Sequence, residues 1–107
     1  MKIIITKLAG NKLKARLAAK SGYLKLKYDI DDCGCGVNGV PVLWFVNELE
    51  KDDKEIETEA GSIYIEKSQL VFFDEKMTID FSEKANCFQL KSTNEYLNPR
   101  MSFYDRT

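Results

Sequence analysis

The chain has no histidine. That removes the commonest general base and the commonest nitrogen ligand for metals. A Ser-His-Asp or Cys-His device cannot be built from this chain alone, and with no nucleophile–base pair in view no catalytic residue is assigned and no enzyme is expected. A long apolar run is also missing. The longest, Val40 to Val46, is too short to span a bilayer, so no membrane partner is expected. The start, Met1-Lys2-Ile3-Ile4-Ile5-Thr6, lacks the apolar segment and cleavage site of a signal peptide. The expectation is a cytoplasmic protein, where three cysteines do not suggest a disulfide scaffold. Excess charge of one sign is absent too: 16 basic and 17 acidic residues leave a net charge of −1, which gives no reason to expect nucleic acid.

What is present suits one domain over residues 1–107, with 44% hydrophobic residues to build a modest core. Ile3 to Ile5 reads as a strand. Thr6 is a candidate helix N-cap, followed by Leu8, Leu13, Leu17 and Ala18 at helical spacing and by Ser21-Gly22 as a stop. A helix over about Lys7 to Lys20, packed by Leu8, Leu13 and Leu17, is expected. Tyr23 to Ile30 alternates, with Leu24, Leu26, Tyr28 and Ile30 on one face and Lys25 and Lys27 on the other. Val42 to Val46 reads as a central strand entered at Pro41. Glu55 to Glu59 alternates as a strand with a wet face, and Gly61 allows a turn into Ile63 to Glu66. Ser68 to Phe73 is ambiguous, with Ser68 able to cap a short helical turn. Met77 to Phe81 alternates, and Cys87 to Lys91 places Cys87, Gln89 and Lys91 opposite Phe88 and Leu90. Leu24, Leu26, Val42, Trp44, Ile79, Phe81, Phe88 and Leu90 are the expected core. The tail, with Tyr96, Leu97, Met101, Phe103 and Tyr104, is apolar enough to pack. The class is α+β and mostly β, with the one main amphipathic helix on a sheet face.

Asp31-Asp32-Cys33-Gly34-Cys35-Gly36 carries the chemistry. A Cys-x-Cys in extended chain can aim both sulfurs to one side, and the glycines leave room for a bulky group. Thiolates are soft ligands suited to iron, zinc, copper(I) and iron–sulfur clusters. Cys33 and Cys35 are the candidate metal ligands, and Cys87 joins them as a candidate cofactor ligand. Three thiolates fall short of the four that a cluster or structural zinc takes from protein. The remainder would come from a second subunit, Asp31, Asp32 or an external thiol. The competing reading is a small-residue turn with packed cysteines, with Cys87 as a small buried hydrophobe and Asp29, Asp31 and Asp32 as loop-capping or solvated charges.

The order of helix, strand, Gly/Cys loop, apolar strand, acidic hairpin, Ile-Asp-Phe strand and phenylalanine-bearing strand resembles the HesB-like iron–sulfur biosynthesis domain of the A-type iron–sulfur carriers. Gly34-Cys35-Gly36 stands where members have a Gly-Cys-x-Gly loop, with Leu43-Trp44-Phe45 as the aromatic strand. Ile79-Asp80-Phe81 and Cys87-Phe88-Gln89-Leu90 stand where members have their Ile-Asp-Tyr-like and Gly-Phe-x-Phe-like strands. The resemblance implies mixed or antiparallel strands in a small distorted sandwich or barrel. It also implies an accessory protein of iron–sulfur cluster assembly that binds iron or an iron–sulfur cluster. Its partners would be a homodimer mate and apo iron–sulfur proteins or a cluster-assembly scaffold. The chain departs from the family pattern at Asn98 to Tyr104, where carriers have a second Cys-x-Cys and this sequence has none. The alternative is therefore a non-catalytic interaction or thiol-sensing module that kept the fold and lost cluster binding.

Overall fold

The computed structural model describes residues 1–17, 21–29, 40–93 and 95–106. β1 (Lys2–Ile5) leads through Thr6 into α1 (Lys7–Leu17). Thr6 is the expected cap: its hydroxyl accepts the Ala9 amide at 3.2 Å, satisfying one of the free N–H groups of the first turn. Then come β2 (Tyr23–Asp29), β3 (Val40–Val46), β4 (Asp53–Thr58) and β5 (Gly61–Glu66). A 3-10 turn over Lys67–Phe72 precedes β6 (Lys76–Ser82), β7 (Cys87–Ser92), β8 (Tyr96–Met101) and β9 (Phe103–Asp105).

The strands form two mixed sheets, not a closed barrel. One has four strands in the order β1-β6-β7-β8, the other five in the order β4-β5-β2-β3-β9. β1 runs parallel to β6, and β6, β7 and β8 are antiparallel. In the second sheet the antiparallel pairs β4–β5 and β2–β3 are joined through parallel β5–β2, and β9 adds parallel to β3. The β4–β5 turn needs Gly61, whose φ of +117° lies where L side chains are disfavoured.

Period-two alternation selects the buried faces. Ile3, Met77, Ile79, Phe81, Phe88, Leu90 and Met101 come from the four-stranded sheet, and Leu26, Leu43, Ile56, Ile63 and Ile65 from the other. They form one cluster with Ala9 and Leu13 of α1. The helix differs from expectation. Its buried residues are Ala9, Gly10 and Leu13, while Leu8 is half-buried against the core cluster and Leu17 is half-buried outside it. Arg16 and Lys12 cover aromatic rings with their charged ends, Arg16 over Phe88 and Phe103 and Lys12 over Phe81. Leu24 is half-buried against the core, and Val42 is buried outside the main cluster.

Trp44 is not a core residue. It pairs with Lys25 in the ladder and so lies on the opposite face from Leu43. There it is half-buried, with Lys27 4.9 Å and Arg106 4.4 Å from its ring centroid. Lys25 on the same face is buried to 4% exposure. It ion-pairs with Asp53 at 2.9 Å and with Glu66 at 3.5 Å.

Asp80, on the outer face of the four-stranded sheet, links three elements. Thr6 donates to its carboxylate at 2.8 Å, as does the Phe81 amide, and Lys91 donates at 3.0 Å. Burial pushes the carboxyl up, but these hydrogen bonds outweigh it and hold the group below its ordinary pKa. Its hydrogen bond to Asp80 holds Lys91 above the usual lysine value.

Two predictions follow from this packing. Leu26→Ala should cost ~2–5 kcal/mol in a denaturant titration, since it empties a fully enclosed site. Asp80→Asn should cost ~1–3 kcal/mol at neutral pH. Because the folded carboxyl titrates below its unfolded value, this contribution is complete above the ordinary carboxylate range and disappears as pH falls through the folded pKa. Stability curves of the wild type and Asp80→Asn should therefore converge in acid.

Candidate thiolate site

β2 and β3 pair over seven steps, from Tyr23 opposite Val46 to Asp29 opposite Val40. This ladder pairs Asp29 with Val40, the described residues that flank segment 30–39 in sequence. Cys33 and Cys35, with Asp31 and Asp32, lie in that segment, outside the described residues, as does the side chain of Asp29. The base of the hairpin is described in detail.

Gln69 of the 3-10 turn grips the backbone of Tyr28. Its amide oxygen accepts the Tyr28 N–H at 2.9 Å, and its amide nitrogen donates to the Tyr28 carbonyl at 3.0 Å. The side chain thus acts as a substitute strand where β5 has ended. The ambiguous Ser68 to Phe73 segment is a short helical turn, with Ser68 inside it and Glu66 at its N-cap position. The Ser68 amide and hydroxyl both bond the Asp52 carboxylate, which lowers the pKa of Asp52. The turn also brings Phe72 flat against Tyr28, with ring centroids 4.3 Å apart, and Phe73 edge-on to it at 6.1 Å.

The other side of the base is held from the four-stranded sheet. Asn98 of β8 donates its side-chain amide to the Pro41 carbonyl at 2.8 Å. Its neighbour Pro99 offers its carbonyl to the thiol of Cys87 at 3.7 Å. Cys87 is a free, partly exposed thiol opening β7, on the sheet face away from Phe88. It is therefore not the buried small hydrophobe of the competing reading, and it contacts the strand that grips the hairpin base. Among the described residues, no three Cys, Asp or Glu side chains converge on a point that could hold a metal ion.

Sequence reasoning found the thiols but missed Gln69 and Asn98. An alternating pattern marks which strand faces are buried, and it carries no sign of a polar side chain bonding to a distant backbone.

The sequence model of the iron–sulphur cluster biosynthesis family matches residues 1–105. The chain is 45% identical over 103 residues to the uncharacterized protein YqkB of Bacillus subtilis, covering 95% of this chain and 96% of that protein. A candidate Fe-S biosynthesis protein from Lactobacillus salivarius superposes with a TM-score of 0.80 at 22% identity over 98% of both chains. The structure of IscA with its [2Fe-2S] cluster superposes at 0.63, with 16% identity over 86% of both chains. No helix among the described residues is long and apolar enough to cross a membrane.

Replacing Gln69 by alanine removes both bonds to Tyr28 and strands two backbone groups. The expected loss is ~1–3 kcal/mol, with faster hydrogen exchange at the Tyr28 amide than at that of Leu26 deeper in the same strand.

Proposed function

Because the chain belongs to the iron–sulphur cluster biosynthesis family, we propose that it binds iron or an iron–sulfur cluster through the thiolates of Cys33 and Cys35 and passes this cargo on, with no catalysis of its own. The carrying observation is the family match over residues 1–105 together with a Cys-Gly-Cys placed between two strands in seven-step register. Gln69 and Asn98 hold the backbone of Tyr28 and Pro41, on the strands that precede and follow the two thiols in sequence, and fixed flanks lower the entropy lost when a donor pair closes around a metal.

The ligand count favours a shared site. Two loops would supply four thiolates, the number a cluster takes from protein. Cys87 is the alternative third ligand, and an external thiol the fourth. The receivers would be apo iron–sulfur proteins or an assembly scaffold, and the working compartment the cytoplasm. One feature favours the second reading, an interaction or thiol-sensing module without cargo. The tail that holds the second Cys-x-Cys in carriers is here built into β8 and β9 and has no cysteine.

Anaerobic reconstitution with iron and sulfide separates the two. The wild type should acquire a cluster absorption spectrum with matched iron and sulfide counts, and should sediment as a dimer, since a ligand bound only by the dimer draws the equilibrium toward it. Cys33→Ser/Cys35→Ser should acquire neither iron nor sulfide while keeping the wild-type fold. Equal iron and sulfide in the double variant would overturn the assignment. Loading on a clean monomer would replace the shared site by Cys87 with an external thiol.

A further inference from the structure

A groove of about 410 Å³ runs along α1, a size typical of sites that enclose small molecules. It lies at the Gly22–Leu24 and Phe45 end of the β2–β3 ladder, the opposite end from Asp29 and Val40. Ile5, Leu13, Leu17, Leu24 and Phe45 form its apolar walls. Leu13 and Phe45 are buried residues, so the floor reaches the interior. The groove continues into a more polar space of about 390 Å³, bordered by Lys7, Asn11, Lys14 and Glu59. Ile5, Gly10, Lys14 and Ala60 border both.

Gly10 is the informative residue. It stands inside a helix, where glycine is the poorest former after proline. A β-carbon built on it would lie 3.7 Å from the Ala60 Cβ and 3.9 Å from an Ile5 methyl, both ordinary contacts. Crowding therefore does not demand glycine, in contrast to Gly22, where a β-carbon would come within 2.5 Å of the Val46 carbonyl. Gly10 lies on the wall shared by the two spaces, where a side chain larger than a methyl would intrude on them.

Charge supplies the second observation. α1 carries Lys7, Lys12, Lys14 and Arg16 and no acidic residue. Lys12 and Arg16 are engaged over aromatic rings. Lys7 and Lys14 are exposed and, among the described residues, have no ion-pair or hydrogen-bond partner. They border the polar space, opposite the single carboxylate of Glu59. We propose that the groove binds a single-chain amphipathic carboxylate. Its hydrocarbon tail lies against Leu13, Leu17, Leu24 and Phe45, with Gly10 on the wall beside it, and its head group sits beside Lys14, which borders both spaces, and Lys7. The apolar walls gain from removing the tail from water, and the two lysines supply the complementary charge.

Decanoate, kept below its micellar concentration, is the probe, with decanol as its neutral match. Titration into the intact protein should shift the amide NMR signals of Gly10, Leu13, Gly22 and Ala60, and decanoate should bind more tightly than decanol. Lys14→Met should weaken decanoate about two- to five-fold, the range for one exposed ion pair, and Glu59→Gln should strengthen it. Gly10→Leu should abolish binding. Should that variant fail to fold, Gly10→Ala decides: it should raise the thermal midpoint through helix propensity and still weaken decanoate. Shifts confined to other residues, equal binding of decanol, or affinity unchanged in Gly10→Ala and Lys14→Met would each overturn the proposal.

Discussion

Leu26 faces Leu43 across the β2–β3 ladder, and neither exposes any surface. With one residue pair fixed and a side-chain period of two, every other position of the hairpin follows. Leu24, Tyr28, Pro41 and Phe45 share the core side, and Lys25, Lys27, Val42 and Trp44 share the other. A slip of one residue would carry both lysines into the apolar cluster, so this register has no close competitor. β5 and β9 then attach to the outer edges of the hairpin, at Lys25–Tyr64 and Leu43–Phe103. The same ladder ends at Asp29 and Val40.

The outer face of the five-stranded sheet is organised by charge. Lys25 is buried between Asp53 and Glu66, and Glu66 also takes Lys27 at 2.8 Å. Removing such charges from water is costly, and the arrangement holds because each has an opposite partner close by. Asp53 belongs to the edge strand β4 and Glu66 to β5, so the network ties both strands to β2 in one alignment. Trp44 continues the pattern as a ring held between two cations. The hairpin base is thus supported on one side by ion pairs and on the other by the common core.

Much of this was legible in advance. The Thr6 cap, the β2 alternation, the Gly61 turn and the Met77 to Phe81 strand all follow from local pattern and turn chemistry, and the structure places them as read. The ordered series of motifs also pointed to the family that matches residues 1–105. Other features were not legible. Val42 to Val46 is apolar throughout, so nothing in the run itself tells which of Leu43 and Trp44 faces the core. Leu17 fits the helical stripe, yet it is half-buried and lines the groove instead of joining the core cluster. The tail read as packed but not as strands, because Pro99 interrupts the pattern. As an edge strand, β8 tolerates a residue with no N–H to donate.

The sequence by itself determined the fold class, the faces of most strands and the identity of the three thiols, because periodicity and residue chemistry are local properties. With no histidine, a Ser-His-Asp or Cys-His device cannot be built from this chain alone. Only the tertiary structure decided that Cys87 contacts the strand gripping the hairpin base, that Gln69 substitutes for a missing strand at Tyr28, and that Gly10 packs beside Ala60 on the wall of two spaces along α1. Each of these joins residues far apart in sequence. Such a contact arises when two sheets and a helix settle against one core, and no local pattern encodes where their edges meet.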